Sequence, residues 1–140
     1  MEKIQEQEKS MIQRCNESFE SRMKDIRILN ELIQLENGED YPLILEKLKD
    51  EYGEPSDYGL SFDFVEPGTF PEQREEYLRY QISWGGPSEE FRIYATGEVE
   101  FWFLDWFKGE HINLNPEDTE ILFNFLGGSD YKELREMVKK

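Results

Sequence analysis

The chain has 140 residues, of which 32 are Asp or Glu and 16 are Lys or Arg, so its formal net charge at pH 7 is -16. A surface with this charge repels nucleic acids and anionic membranes and attracts basic protein surfaces. The aromatic content of 14% argues against disorder, which combines high net charge with few aromatic residues. A single cysteine and the lack of an apolar run of about 20 residues indicate a cytoplasmic protein without an intrachain disulfide or membrane span.

The N-terminal segment, residues 2–36, contains no Gly or Pro and is predicted to form one long helix or two shorter ones. Its apolar side chains recur at alternating steps of three and four, with Arg22 filling one gap. They are Ile12, Cys15, Phe19, Ile26, Leu29 and Ile33. We favour packing of this stripe on the protein's own sheet, and the alternative is the seam of a coiled-coil homodimer.

The domain organisation follows from this helix. We predict a single domain over residues 1–140, in which residues 37–140 form a compact α+β body. The helix within residues 1–36 either packs on that body or projects from it and dimerises. Its first ten residues have polar side chains at the seam positions, so we expect them to fray or project.

A second helix is predicted after an Asn-Gly pair at residues 37–38, with Asp40 as its cap and an end near Tyr52. Residues 37–76, which include this helix, contain twelve acids and three bases, a net charge of −9. This segment carries more than half of the charge imbalance. Solubility alone explains many acidic surfaces, and the alternative is a surface that displays carboxylates to a basic partner.

The hydrophobic period changes from 3.6 to 2 after residue 59, which predicts strands. We expect a four-stranded antiparallel meander from strands at residues 60–65, 77–84, 89–94 and 98–107. Two C-terminal helices follow, one starting after Asn115 and ending at Gly127-Gly128, the other capped by Ser129. The predicted fold class is therefore α+β, with the helices packed on one face of the sheet.

The register of the hairpin between the third and fourth strands can be predicted from its side chains. A three-residue loop at residues 95–97 sets Ile93 opposite Val99 and Arg92 opposite Glu100, with the glycine of the loop in the left-handed region. A two-residue loop would instead place Ile93 opposite Glu100. Matched cross-strand pairs contribute roughly 0.2–1 kcal/mol each, so we predict the three-residue loop.

No catalytic, cofactor or metal site is predicted. The single histidine, His111, is interpreted as a loop or surface residue, and Cys15 as a core thiol because it lies on the apolar stripe. Carboxylate pairs such as Asp63 with Glu66 arise by chance in a chain with 32 acids. Basic residues are scattered singly, which argues against direct nucleic-acid binding. We therefore expect a protein that is not an enzyme.

The predicted fourth strand, residues 98–107, is apolar on both faces beyond Glu100. The interpretation that we favour is a central strand covered on both sides. The alternative is an exposed aromatic patch ringed by acids, which would bind a protein partner. The aromatic residues that we expect to make such contacts are Tyr94, Trp102 and Trp106.

Two stretches carry a resemblance to known proteins, residues 81–94 (QISWGGPSEEFRIY) and residues 100–107 (EFWFLDWF). They resemble small proteins carried by phages and conjugative elements. The size and charge of the chain are also similar to those of the acidic inhibitors that such elements encode, including anti-CRISPR and antirestriction proteins, several of which imitate DNA. The resemblance implies an inhibitor that occupies the basic DNA- or RNA-binding site of a defence nuclease.

Duplex DNA presents one charge per roughly 1.7 Å of axis, so a protein that imitates it needs a dense display of carboxylates. The acids that we expect in this display are Asp50, Glu51, Glu54, Asp57, Asp63, Glu66, Glu72, Glu75, Glu76, Glu89, Glu90, Glu98 and Glu100. One alternative is an immunity or antitoxin-like protein that binds its partner through the aromatic patch. The other is a small enzyme of unknown class.

Overall fold

The computed structural model describes residues 10–36, 46–47, 50–106 and 108–139. At its centre is a five-stranded antiparallel sheet in which the strands follow their order in the chain. The strands are β1 (Ser61–Val65), β2 (Tyr77–Ser83), β3 (Ser88–Tyr94), β4 (Val99–Asp105) and β5 (Lys108–Asn113). The helices are α1 (Met11–Glu36), α2 (Pro116–Leu126) and α3 (Tyr131–Lys139). The predicted α+β class and the meander are confirmed, but the sheet has five strands rather than four.

The additional strand arises because the predicted fourth strand ends before residue 106. Asp105 of β4 pairs with Lys108 of β5, so a tight turn joins the two strands. Trp106 lies in this turn with a φ of 59°. The sequence pattern had instead predicted that it lies on the strand. β5 is an edge strand in which Ile112 is the only large apolar residue. A mostly exposed edge strand lacks the alternation by which buried strands are recognised, which explains why it was missed.

Helix α1 packs along one face of the sheet, called the inner face. Its buried side chains are Cys15, Phe19, Met23, Ile26, Leu29 and Leu32. Four of these belong to the predicted stripe, whereas Met23 and Leu32 replace Arg22 and Ile33, and Ile12 points outward with 59% exposure. A straight helix drifts relative to a heptad, so its contact with a sheet follows the 3.6-residue period. Four of the six apolar side chains of the predicted seam are therefore buried in the chain's own core.

The core lies between the inner face and the helices. Phe101 of β4 is fully buried, and its ring centre lies 5.6 Å from that of Phe19 and 5.1 Å from that of Phe91. Leu122 of α2 and Leu134 of α3 are also fully buried in this core. Each aromatic side chain removes roughly 150–250 Å² from water, so these rings explain how a chain of low apolar content forms a core.

The β3–β4 hairpin has the predicted register. Ile93 pairs with Val99 and Arg92 with Glu100. Gly97 has a φ of 92°, and its N–H donates to the carbonyl oxygen of Tyr94 at 2.8 Å. The three-residue loop is therefore confirmed, and it requires glycine because an L side chain is strained at this φ.

The C-terminal helices begin and end close to the predicted positions. The Asn115 side chain accepts from the backbone N–H of Asp118 at 2.8 Å, and Gly127 ends α2 in the left-handed region. For α3, the cap is Asp130 rather than Ser129, because the Asp130 carboxylate accepts from the N–H of Glu133 at 2.9 Å. Residues 46–47 and 50–52 are helical, as predicted, whereas the predicted cap of that helix, Asp40, lies outside the described residues. Within the described ranges, no helix has the length and apolar character needed to cross a membrane.

Candidate functional site

The second face of the sheet, called the outer face, carries the side chains that alternate with the core. In the part of the chain that the structure describes, all three helices contribute side chains to the core on the inner side. The outer face instead forms the floor of a cleft of about 710 Å³. We call it the outer-face cleft. It is lined by Phe70, Pro71, Glu72, Gln73, Arg74, Glu75, Tyr77, Arg79, Trp84, Glu90, Arg92, Tyr94 and Leu104.

Arg92 is the centre of a stack of planar groups on the outer face. Its guanidinium carbon lies 4.2 Å from the ring centre of Trp102 and 5.1 Å from that of Tyr77. Its Nε donates to the Glu90 carboxylate at 2.8 Å. On the other side of Trp102, the His111 ring stacks at 4.6 Å. Cation–π contacts of this kind favour a guanidinium over an ammonium because both of its faces can stack.

The predicted partner-binding residues Trp102 and Tyr94 are engaged within this face. The Trp102 indole N–H and the Tyr94 hydroxyl both donate to the same Glu100 oxygen, at 2.9 and 2.7 Å. Burial, followed by the hydrogen bond to Glu100, raises the pKa of Tyr94 above its usual range. Both side chains are half-buried, so they help to build the face and do not project from it.

Arg79 forms the second ion pair of the cleft floor. Its Nε and Nη2 donate to the two carboxylate oxygens of Asp63 at 3.2 and 2.8 Å. This two-pronged contact raises the pKa of Arg79. Asp63, which we predicted in a displayed acidic surface, is therefore paired across the β1–β2 ladder.

Glu89 and Glu90 are adjacent in β3 and point to opposite faces, and the predicted exposure of both is wrong. Glu89 is 7% exposed on the inner face, where it accepts from Arg22 Nη2 at 2.6 Å, from the Ser83 hydroxyl at 2.8 Å and from the Ser18 hydroxyl. Burial alone would raise its pKa, but these hydrogen bonds outweigh burial and lower it. Glu90 is 3% exposed at the cleft floor. Both carboxylates are therefore buried on β3, and the arginine that contacts each of them compensates its charge.

The remaining predicted acids are Glu76, which is half-buried, and eight exposed residues. Glu76 accepts from Arg135 at 2.9 Å and from the Tyr131 hydroxyl, and the latter hydrogen bond is the main reason that its pKa is lowered. The exposed ones are Asp50, Glu51, Glu54, Asp57, Glu66, Glu72, Glu75 and Glu98. Those in residues 50–57 precede β1 and those in residues 66–75 follow it. Seven of the exposed acids therefore lie in the segments before and after the edge strand β1, and Glu98 lies in the β3–β4 loop.

The arginines show the opposite distribution. Of the seven arginines in the chain, all within the described residues, six form ion pairs with N–O distances between 2.6 and 2.9 Å. The pairs are Arg14–Asp105, Arg22–Glu89, Arg27–Asp118, Arg79–Asp63, Arg92–Glu90 and Arg135–Glu76. The seventh, Arg74, lies in the loop that lines the outer-face cleft. Most of the guanidinium charge is thus neutralised within the fold, and the net negative charge remains at the surface.

Two tryptophans are exposed at one end of the sheet. Trp84 follows β2 and is 74% exposed, and Trp106 lies between β4 and β5 and is 92% exposed. In an antiparallel meander these two turns lie at the same end. The exposure of Trp106 was predicted as an alternative, but Trp84 was missed. The signal for it was a large aromatic residue directly before the turn sequence Gly-Gly-Pro, where strand packing no longer covers a side chain.

The sequence analysis also considered Cys15 and His111 as candidate functional residues, and the structure shows where each of them lies. Cys15 is buried, and burial together with the Glu110 carboxylate raises its pKa to about 11, as expected of a core thiol. His111 lies on β5 rather than in a loop, but it is exposed, as the surface interpretation predicted, and its Nε2 lies 3.6 Å from Glu100. Among the described residues, no group of three or more His, Cys, Asp or Glu side chains is arranged to hold a metal ion. No protein-family model, curated protein or solved structure matches the chain.

Proposed function

We propose that this chain is a non-enzymatic acidic binding protein that occupies a basic surface of a partner and inhibits it. The most specific form of the proposal is the DNA- or RNA-binding site of a defence nuclease. The observation that supports it most is the different placement of basic and acidic side chains in the fold. Six arginines are held in ion pairs within the fold, whereas eight of the predicted acids are exposed around β1 and the β3–β4 loop.

This charge distribution supports binding to a basic site for a physical reason. A nucleic-acid-binding site is lined by Lys and Arg and is itself surrounded by anions. Exposed carboxylates that replace phosphates release those anions, and the resulting affinity falls steeply as salt rises. The attraction also accelerates the encounter of the two proteins. The paired arginines oppose this attraction only weakly, because each lies beside a carboxylate that compensates its charge.

The test uses two triple variants that change the net charge equally. One is Asp50→Lys, Glu51→Lys and Asp57→Lys, in the segment before β1. The matched control is Glu20→Lys, Glu31→Lys and Glu136→Lys, at exposed helix positions away from that segment. Partners are captured from a host lysate at low salt, purified, and assayed for nuclease activity and for displacement by duplex DNA.

We expect the first variant to weaken inhibition at least about tenfold, by the loss of several phosphate-like contacts, and the control to change it much less. Inhibition by the unmodified chain should fall steeply with salt, and duplex DNA should compete with it. Full inhibition by the Asp50, Glu51 and Asp57 variant would overturn the proposal. Equal losses in both variants would reduce it to a non-specific charge effect.

A second candidate function is favoured by the exposure of Trp84 and Trp106. It is that of an immunity or antitoxin-like protein whose binding depends on aromatic contacts more than on charge. Under this alternative, Trp106→Ala weakens binding to the captured partner more than the charge variant does, and the affinity changes little with salt. A steep dependence on salt, with little effect of Trp106→Ala, would exclude it.

A further inference from the structure

The outer face already binds an arginine side chain of its own chain. This contact indicates which chemical group of a partner the face can bind. Arg92 is stacked between Tyr77 and Trp102 and bonded to Glu90. The combination of an aromatic ring and a carboxylate satisfies both the faces and the edge of a guanidinium. Aromatic rings and carboxylates also occur in the accessible part of the cleft.

The accessible part of the cleft is lined by both aromatic rings and carboxylates. Phe70 and Trp84 are 45% and 74% exposed, and both line the cleft together with the exposed Glu72 and Glu75. A Trp side chain exposed to this degree leaves most of its apolar surface in water, and contiguous exposed aromatic surface marks interaction sites. Trp106 is exposed at the same end of the sheet as Trp84.

Trp106 adds an independent observation. Its φ of 59° is an outlier for a bulky residue, and two-residue hairpin turns favour Asn or Gly at such positions. With 92% of its surface exposed, its side chain gains little from packing in return. A residue that is both strained and exposed points to a function outside the fold.

From these observations we propose that the outer-face cleft, extended by Trp106, is a docking surface for an extended segment of a protein partner that carries arginine side chains. This inference rests on the proposed function, since it identifies how the basic partner would be recognised. The guanidinium of the partner stacks on Trp84 and bonds to the carboxylates of the loop that lines the cleft. The net charge of -16 on the whole chain favours a cationic segment over an anionic one.

The test compares nona-arginine with nona-lysine, two fluorescent peptides of equal charge and length. Long-range electrostatic attraction is the same for both peptides, whereas stacking on an indole ring favours arginine over lysine. We expect the unmodified chain to bind nona-arginine about fivefold more tightly than nona-lysine. Trp84→Ala should reduce this ratio to about one and Trp84→Phe should restore part of it. Because Trp84 is largely exposed, neither substitution is expected to disturb folding.

A matched control is Ile12→Ala, which removes an exposed apolar side chain on α1 and should leave the ratio unchanged. The indole N–H signals of the three tryptophans give a second readout by NMR. Nona-arginine should shift the Trp84 and Trp106 signals more than that of Trp102, which is hydrogen-bonded to Glu100. A ratio near one in the unmodified chain, or one that Trp84→Ala leaves unchanged, would overturn the docking inference.

The same assay separates the failure of this inference from that of the proposed function. The Asp50, Glu51 and Asp57 triple variant should weaken both peptides about equally and keep their ratio. If both peptides bind in a charge-dependent way without preference for arginine, the docking surface is wrong and the proposed function stands. If the ratio persists while the triple variant changes neither affinity, the acidic display is wrong. Absence of binding to either peptide at low salt would overturn both.

Discussion

The two faces of the sheet use the same strands in opposite ways. On the inner face, apolar side chains such as Phe101 pack under α1, and one buried carboxylate, Glu89, is held by Arg22 of that helix. On the outer face, the next residues along the same strands, Trp102 and Glu90, belong to a network of rings and ion pairs around Arg92. The two sets of side chains are separate because successive residues of a strand point to opposite faces of the sheet.

This difference indicates which face of the sheet stabilises the fold and which face can contact another molecule. Burial of apolar surface contributes most of the stability, so the inner face is expected to be sensitive to truncation. Stacked rings and partly exposed ion pairs contribute less, but they leave a surface whose groups can still contact another molecule. The outer face is therefore the side on which a binding function can develop at a modest cost in stability.

The largest expected effect comes from neighbouring residues on the two faces. Phe101→Ala should lower the free energy of unfolding by about 4 kcal/mol because it opens a cavity between Phe19 and Phe91. Trp102→Ala should cost about 1.5 kcal/mol, since it removes a stack and one hydrogen bond at a half-buried site. Urea unfolding measures both. Equal losses would show that the outer face is as essential to the core as the inner one.

The next effect concerns the adjacent carboxylates. Glu89→Gln should lower the free energy of unfolding at neutral pH by about 2 kcal/mol, because a charged acceptor for Arg22, Ser18 and Ser83 is lost. Glu90→Gln, which affects the single hydrogen bond from Arg92, should cost about half as much. Urea unfolding at neutral pH gives both values.

The pH dependence tests the same pair. The pKa of Glu89 is lowered in the folded protein, so its contribution is present above the pKa of about 4.3 that a glutamate has in an unfolded chain. That contribution disappears as the pH falls through the lower, folded-state value. The stability difference between the unmodified chain and Glu89→Gln should therefore shrink below about pH 4. A difference that is constant across this range would contradict the assigned role of the charge.

The smallest expected effect has the opposite sign. Trp106→Gly should raise the free energy of unfolding by about 0.5–1 kcal/mol, because glycine adopts the φ of 59° without strain. The same change should weaken binding of nona-arginine. Thermal unfolding and peptide titration measure the two quantities. A substitution that destabilises the chain would show that Trp106 supports the fold, and the strained turn would then lose its functional meaning.

Local patterns were sufficient to predict much of the fold. The register around Gly97, the cap at Asn115 and the end of α2 at Gly127 each depend on residues close in sequence, and each is confirmed. The edge strand β5 was missed because Ile112 is its single large apolar residue, so its sequence shows no hydrophobic alternation. The cap of α3 was misplaced by one residue, since Ser129 and Asp130 are both good caps and only the backbone path distinguishes them.

The candidate site was harder to predict because it depends on which residues meet across strands. Composition determined the excess of acids and their concentration in residues 37–76, since charge is fixed by sequence. The tertiary structure decided which acids remain exposed, because Glu89 is buried against Arg22 of α1 and Glu90 beside Arg92 of its own strand, while Asp63 is paired with Arg79 across β1 and β2. It also decided that Trp84, not Trp102, is the more exposed indole, since exposure depends on what covers a side chain and not on its identity.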